Sequence, residues 1–331
     1  MNRRSVLGTI LAAAIGATFA GSASGQGASA QQPAWPTKPV RWIVPWGAGG
    51  AADVLARNVT QKLSERWGQQ VIVDNKPGGN TIVAAQEAMR AAPDGYTLFM
   101  PIAATLTTNP FMYSKLPYDP ARDFTPIGFI ANLPLILLAS NGAPAKTLPE
   151  LIELAKKSPD TVTLGTAAGS QLQAEQWMRD WGVKFRLIMY KSGIDTTKAL
   201  LASEIDLAID AVPGNVGHIK AGKMKGLAVT AARRMPMVAD VPTLDELNLK
   251  HTEPPIWHAL VGPAGLSSAL QSKIYADLQA VLAIPELRDK LVNEMGFEML
   301  PPMGGQELMS KVARESAVVA PLVKELGLKV D

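Results

Sequence analysis

Apolar runs alternate with helical stripes along most of the chain. Val40–Val44 (VRWIV) is apolar and rich in β-branched residues, which predicts a buried strand. Glycines follow at 47, 49 and 50, and then Leu55, Val59, Leu63 and Trp67 recur four apart. That spacing predicts one face of a helix, with Gly68 as its stop. Residues 71–73 (VIV) predict a second strand, DNKPGGN a turn, 81–91 a helix capped by Asn80, and 95–100 a third strand. Further on, 161–167, 185–190, 205–211 and 225–231 read as strands, with helices over 170–181 and 195–203. Thr147 with Glu150 and Thr243 with Glu246 have capping-box spacing, which predicts helix starts. From Ser267 onward the pattern is helical, broken near Pro285 and at PPMGG. Trp257 opens a strand-like segment placed to re-enter the first domain. Strands alternating with helices predict parallel sheets covered on both faces, with ligand-holding turns beyond the strands' C-terminal ends.

Composition narrows this picture. The chain has 331 residues, 47% of them hydrophobic and 18% charged, enough for two domains around a cleft. The net charge of +3 includes Arg3 and Arg4; no acid occurs in residues 1–30. The remainder is nearly neutral, and no basic stretch forms a nucleic-acid footprint. Two arginines, an apolar run from Val6 to about Ala20 and then small residues have the layout of a signal peptide, with cleavage after Ser24 or Ala30. A membrane anchor is the alternative, but the run is short for a bilayer span. The RRSVL string leaves both the general secretory and the twin-arginine routes open. With no cysteine, disulfides, thiol nucleophiles and cysteine metal sites are absent.

The glycine turn after the first strand first suggests phosphate. Walker A requires Lys and Ser/Thr after the last glycine, and here Ala51 and Ala52 follow Gly50. The dinucleotide pattern G-x-G-x-x-G lacks its third glycine. What remains is a turn that lets backbone N–H groups approach an anion at a helix start, and a carboxylate suits it as well as a phosphate. Catalysis has little support: no G-x-S-x-G elbow occurs, and His218, His251 and His258 have no metal-ligand spacing. His258, in IWHALV, reads as a core or cleft residue. Asp53 reads as support for the first helical turn. Trp46, at the rim of the turn, and Trp257 are the aromatics that could stack on a ligand.

IVPWGAGGAADVLAR, DNKPGGN, AAPDGYTL, NPFMYSKLPYDPARDFTPIG, HIKAGKMKGLAVT and DVPTLDEL occur in the order and spacing of a known family. Over residues 33–330 the chain resembles the Bug (TctC-like) family of periplasmic solute-binding proteins of tripartite tricarboxylate transporters. The resemblance implies an α/β fold of the two-domain periplasmic-binding-protein (flytrap) type, type II-like, with two crossover strands. It implies one domain from 33–128 and 255–331, a second from 129–254, and 1–30 as signal peptide. Carried over by motif, the ligand-binding residues are Trp46, Gly47, Gly49, Gly50, Ala51 and Asp53, with Ala103 and Thr105, in the first domain. In the second they are Thr166, Gly169, Ser170, Gln171, Tyr190, Ser192 and Asp195, with Asp210 at a strand end. No catalytic residue, metal or cofactor is implied.

Several positions depart from the family's pattern. Ala51 and Ala52 stand where Ser and Thr are usual. Pro101-Ile102-Ala103-Ala104-Thr105 replaces Gly-Thr-Ser-Gly-Thr. Gly-Asn-Gly-Thr shortens to Ala168-Gly169-Ser170-Gln171, and Asp195 with two threonines stands where proline and apolar residues are common. The first-domain wall is thereby less polar, which points to a ligand with an apolar or aromatic body and at least one carboxylate rather than citrate. Asp195 alternatively supplies an acceptor for an amine or hydroxyl, as in an amino acid or a nicotinate-like solute. The expected partners are a small organic carboxylate and the membrane subunits of such a transporter, or a sensor kinase, with the protein a monomer in the periplasm. An α/β enzyme acting on a small acid is the alternative of a different class.

Overall fold

The computed structural model describes residues 35–167, 170–250 and 256–329; the signal-peptide reading, His251 and Gly169 lie outside them. The chain first lays down β1 (Val40–Val44), α1 (Ala51–Trp67), β2 (Val71–Asn75), α2 (Ile82–Met89), β3 (Thr97–Phe99), α3 (Ala103–Thr107), α4 (Asn109–Met112) and β4 (Phe124–Asn132). It then builds β5 (Leu135–Ala139), α5 (Leu148–Lys157), β6 (Thr163–Ala167), α6 (Gln171–Trp181), β7 (Arg186–Tyr190), α7 (Gly193–Leu201), β8 (Leu207–Ala211), α8 (Val216–Lys220) and β9 (Lys225–Val229). Finally β10 (Trp257–Pro263), α9 (Ser268–Leu282), α10 (Pro285–Asp289) and α11 (Gly305–Glu325) return to the first part. Two five-stranded sheets result, ordered β2-β1-β3-β10-β4 and β7-β6-β8-β5-β9.

Local signals set most boundaries. Gly68 ends α1 in the left-handed region at φ 63°, where a side chain would be strained. Thr147 and Glu150 close a complete capping box at the start of α5. β5 is buried along its whole length and feeds two cores: Leu135, Leu137 and Ala139 pack toward α5 and α6, Ile136 and Leu138 toward α7. This is the two-residue alternation of a central strand. In the first sheet Ile43, Phe99, Phe129, Trp257 and Leu308 share one core.

Four readings from the sequence are corrected. The sheets are mixed rather than parallel, because β10 and β5 each run against their neighbours. The reason is topological: both strands start at the edge the two sheets share, so they run away from it, whereas the others end there. Asn80 does not cap α2. It has φ 48° and bonds Asn109, while Thr81 (φ 77°) holds the cap position without a side-chain capping bond. The Thr243–Glu246 box forms, but it closes a turn rather than a helix. Trp257 is fully buried, and its indole N–H donates to Glu315, so it is core and not a stacking surface.

Three connections join the sheets. β4 runs into β5 through Leu133 and Pro134, and the Leu133 N–H donates to the Ile256 carbonyl at 2.8 Å where the chain returns. A third lies at 296–298. Asn132 and Glu298 exchange both backbone hydrogen bonds, at 3.0 Å each. The Glu298 carboxylate then accepts from Asn132 Nδ2 at 2.9 Å and from the Ala232 N–H, beside the second sheet, at 3.0 Å. Gly296, at φ 69°, passes so close to Pro213 and Met237 that a Cβ there would meet both at 3.0 Å.

Candidate functional site

Strand direction decides where the turns meet. β1, β2, β3 and β4 all end at the edge from which β5 departs, and β6, β7, β8 and β9 end at the edge where β5 begins. The turns after β1 and β3 therefore lie on the same junction as those after β6, β7 and β8. This is where ligands bind in open α/β sheets.

In the turn after β1, Trp46 and Gly47 to Ala51 are exposed. Gly49 has φ 85°, and a Cβ on Gly47 or Gly49 would meet nothing within 4 Å, so the backbone here borders open space. α1 starts at Ala51 with Gly50 as an N-cap that gives no side-chain bond. The first N–H groups of a helix have no intrahelical acceptor and carry its partial positive charge. Asp53 is buried beneath the turn and fixes its shape. Its Oδ2 accepts from Gly49 N–H and Arg57 Nε, each at 2.9 Å, and its Oδ1 from Asn75 Nδ2 at 3.0 Å. Asn75 Nδ2 also donates to the Trp46 carbonyl at 2.9 Å. Burial pushes the Asp53 carboxyl up, but the bonds from Arg57, Gly49 and Asn75 together outweigh it and hold it below the usual range. Asp53 is thus an ionised brace whose oxygens are engaged by the turn.

The turn after β3 is less open. Ala103 and Thr105 are buried, and the Thr105 hydroxyl donates to Thr81 Oγ1 at 2.8 Å. Asn80, Asn109 and Tyr118 complete the network: Asn109 Nδ2 donates to the Asn80 carbonyl, and Tyr118 OH to the Thr105 carbonyl, each at 2.8 Å. Burial pushes the Tyr118 phenol up to about 12, so it stays a neutral donor.

Across the junction, Thr166 and Ser170 are buried and share a hydroxyl–hydroxyl bond that closes the turn before α6. Gln171, half-buried, is the first residue of α6, and its N-cap Ser170 makes no side-chain capping bond. Ser192 caps α7: it accepts from the Asp195 N–H at 3.3 Å, and its hydroxyl donates to Asp195 Oδ2 at 2.8 Å. Asp210 accepts from Ala211 N–H at 2.8 Å, Thr197 Oγ1 at 3.0 Å and Asn215 Nδ2 at 3.1 Å. Its carboxylate packs so tightly on Gly193 that a Cβ there would collide with it. Tyr190 is half-buried, and burial, with Glu204 nearby, raises its phenol.

The structure thus gathers the motif residues at one junction, but most of their polar side chains bond within the protein. What stands at the surface of this junction is backbone N–H groups at helix starts, small residues and a few large apolar side chains. Reading the sequence missed Arg57, Asn75, Thr81, Asn109 and Asn215, the residues that shape the turns. Asn75 had the one available signal, an amide at the end of a strand beside the glycine turn. His258 is buried at the start of β10. Its ring donates to the Ala131 carbonyl, and desolvation lowers it to about 4, so it is neutral and faces Phe297 edge-on. Among the described residues no cluster of three or more His, Asp or Glu could hold a metal, and no helix is long and apolar enough to cross a membrane.

Comparisons with known proteins agree with this fold. A UPF0065 protein from the TAR-I ttuE–ttuC′ intergenic region of Agrobacterium vitis is 34% identical over 297 residues, 87% of this chain and 86% of its own. The structure of R. palustris Rpa4515 with adipate is 30% identical and superimposes with a TM-score of 0.75, covering 88% of this chain and 98% of that one. MatC (Rpa3494) from Rhodopseudomonas palustris, with bound malate, is 26% identical with a TM-score of 0.71, covering 87% and 100%. The family model for the tripartite tricarboxylate transporter family receptor, TctC, matches residues 55–328, so the chain belongs to this family of receptors.

Proposed function

We propose that this protein is an extracytoplasmic receptor that captures a small carboxylate between two lobes, 33–128 with 255–331 and 129–254, and delivers it to the membrane subunits of a tripartite tricarboxylate transporter. It acts by binding alone, as a monomer, and residues 1–30 direct its export before removal. The observation that carries the reading is the exposed glycine turn at the start of α1, braced from below by Asp53 and aimed at the junction of the sheets. A carboxylate there meets helix N–H groups and backbone that no side chain shields, each such interaction contributing about 0.3–1 kcal/mol. Two structural relatives, solved with adipate and with malate, support the ligand class. Closure follows from ligand contacts on both lobes, since a ligand shifts the equilibrium only by its differential affinity for the closed state.

Isothermal titration calorimetry with adipate and malate tests this. We expect saturable binding of at least one, and a loss of tenfold or more in Gly50→Val. Within the protein, a Cβ at Gly50 meets only the Gly47 carbonyl, at 3.7 Å, so the variant is expected to fold. Unchanged affinity in Gly50→Val would count against the turn as the carboxylate site.

A further inference from the structure

The described residues leave six large hydrophobic side chains exposed: Trp46, Ile72, Val83, Met189, Ile194 and Val318. Two of them sit on the turns of the proposed site. Trp46, 40% exposed, lies two residues past the end of β1. Ile194, 70% exposed, is the second residue of α7, past the end of β7. An isolated surface apolar residue needs no explanation, but two on turns that end at one junction do. Ala51 and Ala52 open α1 after Trp46, Ile102 and Ala103 form the turn after β3, and beside Ile194 the polar Ser192 and Asp195 bond each other. The neighbouring polar side chains are engaged elsewhere, Asp53 by Gly49, Arg57 and Asn75, and Thr105 by Thr81. Both turns follow strands that end at the junction, so a ligand anchored at the α1 turn and reaching the α7 turn meets both side chains.

Resting on the carboxylate reading above, we propose that Trp46 and Ile194 are specificity-determining residues that cover the apolar body of the ligand, so that this receptor selects linear aliphatic acids over short hydroxylated ones. Selection then scales with the methylenes removed from water, about fourfold in affinity for each.

The test is calorimetric titration of the full chain with succinate, glutarate, adipate and malate, on the wild type and on Trp46→Ala, Ile194→Ser and Trp46→Phe. For the wild type we expect affinity to rise three- to fourfold per methylene from succinate to adipate, with malate no tighter than succinate. In Trp46→Ala and Ile194→Ser, adipate should weaken tenfold or more and succinate less than twofold. Trp46→Phe should keep the length dependence. Both positions are exposed, so an unchanged melting temperature is the folding control. Equal loss for succinate and adipate in the alanine and serine variants, or adipate affinity within twofold of wild type, overturns this inference and leaves the receptor reading intact. Wild-type protein that binds none of the four acids overturns both.

Discussion

His258 has a cost that only pH reveals. Its folded-state value near 4 lies below the ordinary value of 6.5 because burial disfavours the imidazolium, and one bond to the Ala131 carbonyl offsets this only in part. Above pH 6.5 the ring is neutral in both the folded and unfolded states and does not affect stability. Below 6.5 the unfolded chain takes up a proton that the folded chain refuses. Stability therefore falls as pH drops from 6.5 toward 4, by about 2–3 kcal/mol at pH 4.5. His258→Gln, which keeps a donor for Ala131 and does not titrate, should flatten that slope in urea unfolding at pH 7 and pH 4.5. Equal slopes in variant and wild type would show that His258 is not the group responsible. The chemistry of single residues was partly legible. His258 reads as a core or cleft residue from the apolar string around it, and Asp53 as a support from its place in the first helical turn. The identity of Asp53's partners was not legible, because Asn75 reaches it across 22 positions of chain and only the pairing of β1 with β2 brings them together.

At the scale of elements, strong periodicity was the reliable guide. The stripe Leu55–Val59–Leu63–Trp67 with its terminal glycine marks α1 almost to the residue, and the Thr147 box marks α5. β4 and β5 were not anticipated. Pro126 interrupts the first, Pro134 separates them, and burial that is continuous from Ile127 through Ala139 along both strands leaves no alternation to read. The segment 296–298 was also invisible in sequence, since nothing local marks Glu298 as a link between two sheets. Glu298→Ala removes the acceptor for Asn132 Nδ2 and for the Ala232 N–H while sparing the backbone pair with Asn132. Losing one part-buried and one exposed hydrogen bond should cost about 0.5–1.5 kcal/mol. Hydrogen exchange should rise at Ala232, while α1 and α5 keep their protection. Unchanged exchange at Ala232 would mean that the carboxylate does not bind the two sheets together.

For the whole molecule, the alternation of strands and helices specified the layered architecture but not the reversed strands. Their direction follows from where the chain crosses between sheets, which no local pattern encodes. The same topology makes the two sheets unequal in dependence. The second is drawn wholly from residues 135–229, whereas the first needs β10 from 257–263. A chain ending at residue 255 should keep a protease-resistant core spanning the second sheet and lose protection over 36–132. Protection of both regions would refute that division.

β10 occupies the slot between β3 and β4, with Val261 opposite Phe99 and seven residues of β10 paired with β4 across two register shifts. Ribosomes deliver a chain from its N-terminus, and any pore it threads receives it in the same order. Until the last quarter of the polypeptide has emerged, β3 and β4 flank a vacancy that no earlier segment fills. The first sheet is therefore a lock whose key is made last: the second sheet can close on residues 135–229 alone, while the first stays unfinished until β10 arrives.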